Sequence, residues 1–341
     1  MKKGSLKRML GIGLSLVLAL GLAGCGGTAP STKETPQGAA QGSPEGKQVK
    51  IGIIQIVEHP ALDAARQGFL DVLKAKGYEE GKNLKLEYKN AQNDQSMLNS
   101  IAQQFASSDL DLILAIATPS AQAMASATDE IPILITAVTD PVEAKLVDSM
   151  DKPGGNITGT TDMNPIKEQL DLLKKLVPDA KTVGVIYNAA EVNSEVQVRI
   201  VKQEAPALGL QIVEATVASS ADVLQAAQSL IGKVNAIYVP TDNMVVSAAQ
   251  SVVQVANENK IPLISGESSV VDAGGLGTIG INYTNLGAQT GEMALRILDG
   301  AKPADMSVEG QKNFDIVLNK EAIDLLGIKV PADIKSKATI K

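Results

Sequence analysis

An α/β fold of two doubly wound lobes joined by a hinge is what this 341-residue sequence predicts, on three observations. From Val49 onward short apolar runs alternate with longer amphipathic segments, and the rhythm occurs as two separate series. Between the two series the segment Asn156–Asp162 (NITGTTD) has the look of a crossing, and Gly277–Tyr283 leads into a second one. Apolar runs rich in β-branched residues, each followed by a helix, imply parallel strands covered on both faces.

In the first series Val49–Val57 (VKIGIIQIV) reads as a buried strand. Ala61–Lys76 reads as a helix with apolar positions three and four apart. Further strands are expected at Asn83–Tyr88, Leu110–Ile116 and Ile131–Ala137, with helices near Ser96–Ser107 and Pro119–Ala127. In the second series strands are expected at Thr182–Tyr187, Leu210–Ala215, Ala236–Val239 and Pro262–Ser265. Its helices are expected at Pro165–Leu176, Val192–Leu208, Ala221–Ile231 and Met244–Asn259. The stretch Leu112–Ala137 is echoed by Ala236–Gly266: each has a strand, a threonine past its end, an alanine-rich helix and an Ile-Pro strand. Helix Leu286–Leu298 then packs back on the first lobe, and Phe314–Leu318 returns to the second. The expected division is therefore 49–160 with 284–303 for lobe 1, and 161–283 with 304–336 for lobe 2. Several crossings make a hinge, and a hinge allows closure around a ligand. In open parallel sheets ligands bind beyond the carboxyl ends of the strands.

Composition removes several function classes. A net charge of −7, with no Lys/Arg cluster beyond the N-terminus, argues against nucleic acid as a partner. One Cys and one His leave no ordinary zinc site, no disulfide framework and no Cys-His nucleophile pair, and no cofactor is implied. Aromatic residues make up 2% of the chain and tryptophan is absent, which disfavours a sugar site built on stacking. Gly275-Leu276-Gly277-Thr278-Ile279-Gly280 matches GxGxxG but enters a strand, whereas a dinucleotide site leaves a strand and opens a helix.

The N-terminus carries Lys2, Lys3, Lys7 and Arg8, then the apolar run Met9–Ala23, too short for a comfortable membrane span. It ends at Leu22-Ala23-Gly24-Cys25, which resembles a bacterial lipobox. Residues 1–24 are then a lipoprotein signal peptide and Cys25 carries the lipid. Residues 25–48, rich in Gly, Ala, Pro, Ser, Thr and Gln, form a flexible tether above the membrane.

With these features in place, the chain resembles the ABC-transporter substrate-binding lipoproteins related to TrpX, the tryptophan- and tyrosine-binding group. The matching stretches are Ile51–Phe69, Ala117–Ala121 (ATPSA), Ala137–Pro141 (AVTDP), Asn156–Asp162, Ile186–Ser194, Pro240–Asn243 (PTDN) and Gly280–Gly291 (GINYTNLGAQTG). The resemblance implies a type 1 periplasmic-binding-protein fold and no catalytic activity. It further implies a monomer at the extracytoplasmic face, partnered by ABC permease and ATPase subunits, with an aromatic amino acid as ligand. The competing readings are a same-fold protein for a sugar, a nucleoside or another amino acid, a signalling receptor, and an exported α/β enzyme. Against the enzyme stand the single His, a Cys committed to lipid and no serine elbow.

The candidate ligand residues stand at strand ends. Thr118 and Ser120 open a helix whose free N–H groups suit a carboxylate, although Thr118 is equally an ordinary N-cap. Thr139 and Asp140 follow the next strand, and Thr241, Asp242 and Asn243 follow its counterpart. A carboxylate there pairs well with an ammonium group, and the same residue types are common in plain turns. Asn188, Glu191 and Asn193 stand at the mouth of the second lobe, with Gln55 and Glu58 in the equivalent place in the first. His59 reads as a loop residue, and Glu267 as a weaker candidate. Asp242→Ala is expected to weaken ligand binding while leaving the fold intact.

Overall fold

The computed structural model describes residues 48–341. The expected signal peptide, the lipidated Cys25 and nearly all of the expected tether lie outside the described residues.

In chain order the first half forms β1 (Val49–Gln55), α1 (Pro60–Ala75), β2 (Leu84–Asn90), α2 (Gln95–Ala106), β3 (Leu112–Ile116), α3 (Thr118–Ala127), β4 (Ile133–Val138) and β5 (Ile157–Thr161). There follow α4 (Ile166–Leu176), β6 (Thr182–Tyr187), α5 (Val192–Glu204), β7 (Gln211–Thr216), α6 (Val223–Ser229), β8 (Ala236–Val239), α7 (Asn243–Ser247) and α8 (Ala249–Glu258). The chain closes with β9 (Leu263–Ser265), α9 (Ser268–Asp272), β10 (Gly277–Gly280), α10 (Tyr283–Leu298), β11 (Glu309–Gly310), β12 (Asp315–Leu318), α11 (Lys320–Leu326), α12 (Ala332–Lys335) and β13 (Thr339–Ile340).

Two sheets result. The first has the order β11-β5-β4-β3-β1-β2, parallel throughout, and the second the order β13-β12-β10-β9-β8-β6-β7. Set aside the late strands and both sheets read second, first, third, fourth, fifth. The echo between Leu112–Ala137 and Ala236–Gly266 is thus the third and fourth strands of each lobe. Among the described strands only β12 departs from parallel pairing, running antiparallel to β10 because it enters from the opposite lobe, and β13 follows it.

Burial explains why these runs are strands. Ile51 to Gln55, all of β3 and all of β4 are buried, as strands covered on both faces must be. In β6, Val183, Val185 and Tyr187 join the core on one face while Ile186 joins the other, the two-residue period of a strand. Helix starts follow local chemistry. Asp94 caps α2 by accepting from the Met97 N–H at 2.7 Å, Asn282 caps α10 through Asn285 at 3.0 Å, and Pro60 opens α1. Helix α10 is fastened beneath the first sheet by three buried threonines. Thr290 lies 2.8 Å from Thr160 and 3.1 Å from Thr136 between hydroxyl oxygens.

The chain passes between lobes after β5, after β10 and after β11. The last passage differs from expectation. Glu309–Gly310 pairs with Thr160–Thr161 on the edge of the first sheet, so 304–310 stays with the first lobe. The single helix expected at Met244–Asn259 is two, broken at Ala248 (φ −113°, ψ 23°). The expected helix at Val192–Leu208 ends its α-helical part at Glu204 and finishes as a 3-10 turn.

Candidate functional site

The carboxyl ends of β1, β3 and β4 face those of β6, β8 and β9, and between them lies a narrow cavity of about 10 Å³. His59, Leu62, Ala137 and Thr139 line it from the first lobe, and Asn193, Thr241, Asn243, Val246 and Glu267 from the second. Asp162 and Tyr283, at the first two passages between lobes, complete the wall. The lobes also touch outside it: Arg199 meets Glu143 at 3.1 Å, and the Asn93 amide donates to the Ser247 hydroxyl at 3.2 Å. Both ionic partners are half exposed, so that pair contributes at most about 1 kcal/mol to closure.

The wall is polar and buried, and some of its atoms have no partner. The unpartnered ones are His59 Nδ1, Asn193 Oδ1 and Glu267 Oε2; the buried hydroxyls of Thr118 and Ser120 at the start of α3 are also unpartnered but do not line the cavity. Leaving such groups desolvated costs about 1–3 kcal/mol each, a cost that a ligand can remove. The backbone nearby is held in an unusual form. Ala117 and Ala137, at the ends of β3 and β4, adopt φ of +75° and +55°, and β4 shifts register against β5 between Ile135 and Val138. Non-glycine residues in that region are strained by about 1–3 kcal/mol each, and such strain gathers at ligand sites.

Of the residues expected from sequence, Thr139, Asn193, Thr241 and Asn243 line the cavity. The others stand elsewhere. Gln55 is buried against the first turn of α1, donating to Asp63 at 2.9 Å and to the Val57 carbonyl at 2.8 Å. Glu58 is outside, accepting from the Tyr88 hydroxyl at 2.9 Å. Asp140 accepts from the Val142 and Glu143 N–H groups and so shapes its own turn. Asn188, Glu191 and Asp242 form a buried network behind the wall. Asp242 Oδ2 accepts from the Asn188 N–H and the Ser194 hydroxyl, both at 2.6 Å, and its Oδ1 caps α7 through the Val245 N–H at 2.8 Å. Glu191 Oε2 accepts from the amides of Asn193 and Asn243 at 3.1 and 2.5 Å. Asp242, for which ligand contact was expected, has its lone pairs committed to the fold. The cavity is also lined by His59 and Glu267, which the sequence ranked low, and by Asp162, which it did not single out.

Electrostatics single out the same groups. Burial pushes the Asp242 and Glu191 carboxyls above their usual range, and for Glu191 the neighbouring Asp242 adds to the effect. Burial likewise raises Asp162, against the hydrogen bonds from Tyr283 (2.8 Å) and Thr139 (3.0 Å). His59 is held neutral, pushed down to about 4 by burial against a smaller opposing effect of its hydrogen bond with Asn243. Glu267 is pushed up to about 7, mainly by burial, with the Asp162 and Asp272 charges adding.

The folded protein therefore retains the Glu267 proton above pH 4.5, where the unfolded chain has released it. Stability from this group is complete below 4.5 and is lost as the pH rises through about 7. His59 acts with the opposite sign but is common to wild type and variant. Ligand-free Glu267→Gln, which cannot ionise, is expected to gain on the wild type between pH 4.5 and 8 by up to about 3 kcal/mol. Urea unfolding at both pH values measures this, and a gap independent of pH contradicts it.

Comparison with known proteins agrees with this architecture. Residues 50–341 match the family model described as ABC transporter substrate binding protein. The chain is 48% identical to a protein named tyrosine-binding protein from Clostridioides difficile strain R20291, over 84% of each chain. Among solved structures it is similar to an ABC domain from Streptococcus pneumonia in complex with L-Trp. The identity is 37% over 86% of this chain and 99% of that one, with a TM-score of 0.84. It is also similar to the ligand-free, open structure of a substrate binding protein from Clostridium difficile. Here the identity is 48% over the same shares of the chains, but the TM-score is only 0.66. The two lobes are of the type 1 periplasmic-binding-protein-like fold. This chain belongs to the ABC transporter substrate-binding protein family.

Proposed function

We propose that the protein captures an aromatic amino acid between its lobes at the extracytoplasmic face of a cell membrane and delivers it to an ABC permease. It does so as a lipid-anchored binding protein and not as an enzyme. The observation that carries this reading is the narrow cavity whose wall comes from both lobes and holds unpartnered buried polar atoms beside Leu62, Val246, Ala137 and the Tyr283 ring. Polar groups for the two charged ends of an amino acid stand next to apolar surface for its side chain. The relatives named for tyrosine and bound to L-Trp favour an aromatic side chain over others.

The backbone supports closure as the working motion. It follows the L-Trp complex more closely than the ligand-free open structure, although the open protein is nearer in sequence. Rigid lobes set at a different angle lower a whole-chain score in this way. A ligand that touches both lobes only when they are closed shifts the population toward closure by its differential affinity.

A thermal-shift screen tests the reading, using protein unfolded and refolded to strip carried ligand and a panel of amino acids, sugars and nucleosides. At about a thousand times its dissociation constant a ligand adds roughly 4 kcal/mol of stability. Tyrosine, tryptophan or phenylalanine is expected to raise the melting temperature. Stabilisation by a sugar or nucleoside alone contradicts the aromatic ligand. Because the protein contains no tryptophan, bound tryptophan's own fluorescence confirms a hit.

A further inference from the structure

Helix α5 belongs to the second lobe, yet one of its faces is turned to the first. Asn193, in its first turn, lines the cavity and donates to the Thr241 carbonyl of its own lobe at 3.0 Å. Val192, the residue before it, packs instead against the core of the first lobe. Arg199 stands seven residues beyond Val192, two turns along the same face. Its guanidinium meets the Glu143 carboxylate of the first lobe at 3.1 Å. None of Val192, Arg199 and Glu143 lines the cavity.

Glu143 is presented on a rigid turn after β4. The Asp140 carboxylate accepts from the Val142 and Glu143 N–H groups at 3.1 and 3.0 Å, and the Ala144 N–H donates to the Asp140 carbonyl at 2.9 Å. The Ala144 carbonyl in turn accepts from the Gln122 amide of α3 at 3.3 Å. With a pinned turn on one side and a helix on the other, the pair forms at the expense of side-chain freedom alone. A second contact, between Asn93 and Ser247 at 3.2 Å, joins the lobes past the end of β2, three strands away from β4 in the first sheet. Contacts between lobes are lost when the lobes part. They add nothing to the encounter of ligand with the open protein, but they must break before a ligand held between the lobes can leave.

Resting on the reading of the protein as one that captures its ligand by closing, we infer that Arg199 and Glu143, seated by Val192, form a clasp that sets how long the ligand is held. The clasp slows reopening without touching the ligand. Both partners are half exposed, so the pair is weak in absolute terms. Opening and closing is itself a balance of small differences, so even a weak pair changes the residence time severalfold.

Association and release rates of tryptophan and tyrosine, by surface plasmon resonance on the refolded protein, test this. Glu143→Arg and Arg199→Glu each set like charges in contact. Each is expected to release ligand about fivefold faster than wild type, with association within about twofold of its rate. Combining the two substitutions restores the pair in reverse and should return release to within about twofold of wild type. Salt at about 1 M should speed release from the wild type and leave that from Arg199→Gln unchanged. Unchanged release from both single variants, or a double variant that releases as fast as they do, overturns the clasp and leaves capture by closure standing. Slower association with unchanged release does the same, because it makes the pair a steering charge on the open lobes. A folded wild type that binds neither amino acid overturns the reading beneath, and the clasp with it.

Discussion

Replacing Gly287 with alanine is expected to destabilise the folded protein by about 3 kcal/mol, although alanine is the better helix former by about 1 kcal/mol. Helices α1 and α10 meet backbone to backbone. A methyl group on Gly287 would stand 1.8 Å from the Ala65 carbonyl oxygen, and one on Gly68 would stand 2.1 Å from the Thr284 carbonyl oxygen. Neither obstacle is the end of a flexible side chain, so the helices must part. Parting them strips cover from Phe69 and Leu286, which are fully buried in the first core. It also displaces the start of α10, where Tyr283 lines the cavity and holds Asp162 at 2.8 Å. Gly287→Ala should thus lose ligand affinity as well as stability. Urea unfolding with Gly155→Ala as control measures the effect, since a methyl group on Gly155 meets nothing within 4 Å. Equal midpoints for the two variants would contradict the close helix contact.

Asp242→Ala is expected to cost about 3–5 kcal/mol of stability, since each buried donor left without an acceptor costs about 1–3 kcal/mol. The substitution strands the Asn188 N–H, the Ser194 hydroxyl and the Val245 N–H, all in the buried interior, and removes the cap of α7. Asp242→Asn keeps the size and one acceptor, and should cost markedly less. This reverses what residue type alone suggests, a ligand contact whose loss spares the fold. Denaturation of both variants decides between them. An Asp242→Ala protein as stable as wild type but unable to bind ligand would restore the first reading.

The fold was largely legible because its signal is repeated. Buried parallel strands such as Leu112–Ile116 and Ala236–Val239 are apolar runs, and the amphipathic helices between them carry a clear period. The two-residue strands Glu309–Gly310 and Thr339–Ile340 carry no such signal, because pairing at a sheet edge needs only backbone. The place of the cavity was legible from the sequence, but not which side chains line it. That ligand residues follow strand ends comes from topology, whereas the free oxygen on Glu267 and the committed oxygens on Asp242 come from neighbours far along the chain. One signal was available. Aligning Ile131-Pro132 with Ile261-Pro262 sets Glu267 opposite Ala137, and both line the cavity. His59 could not be told from a loop histidine until the second lobe, with Asn243, closed over it.

Closure around an amino acid is most directly measured by small-angle scattering of the refolded, ligand-free protein, before and after saturation with tyrosine or tryptophan. Binding between the lobes predicts a smaller radius of gyration on saturation, with the saturated curve matching the closed arrangement described above and the ligand-free curve a wider one. A protein that binds the amino acid with no change in its scattering, or that does not bind it at all, would contradict capture by closure of the two lobes.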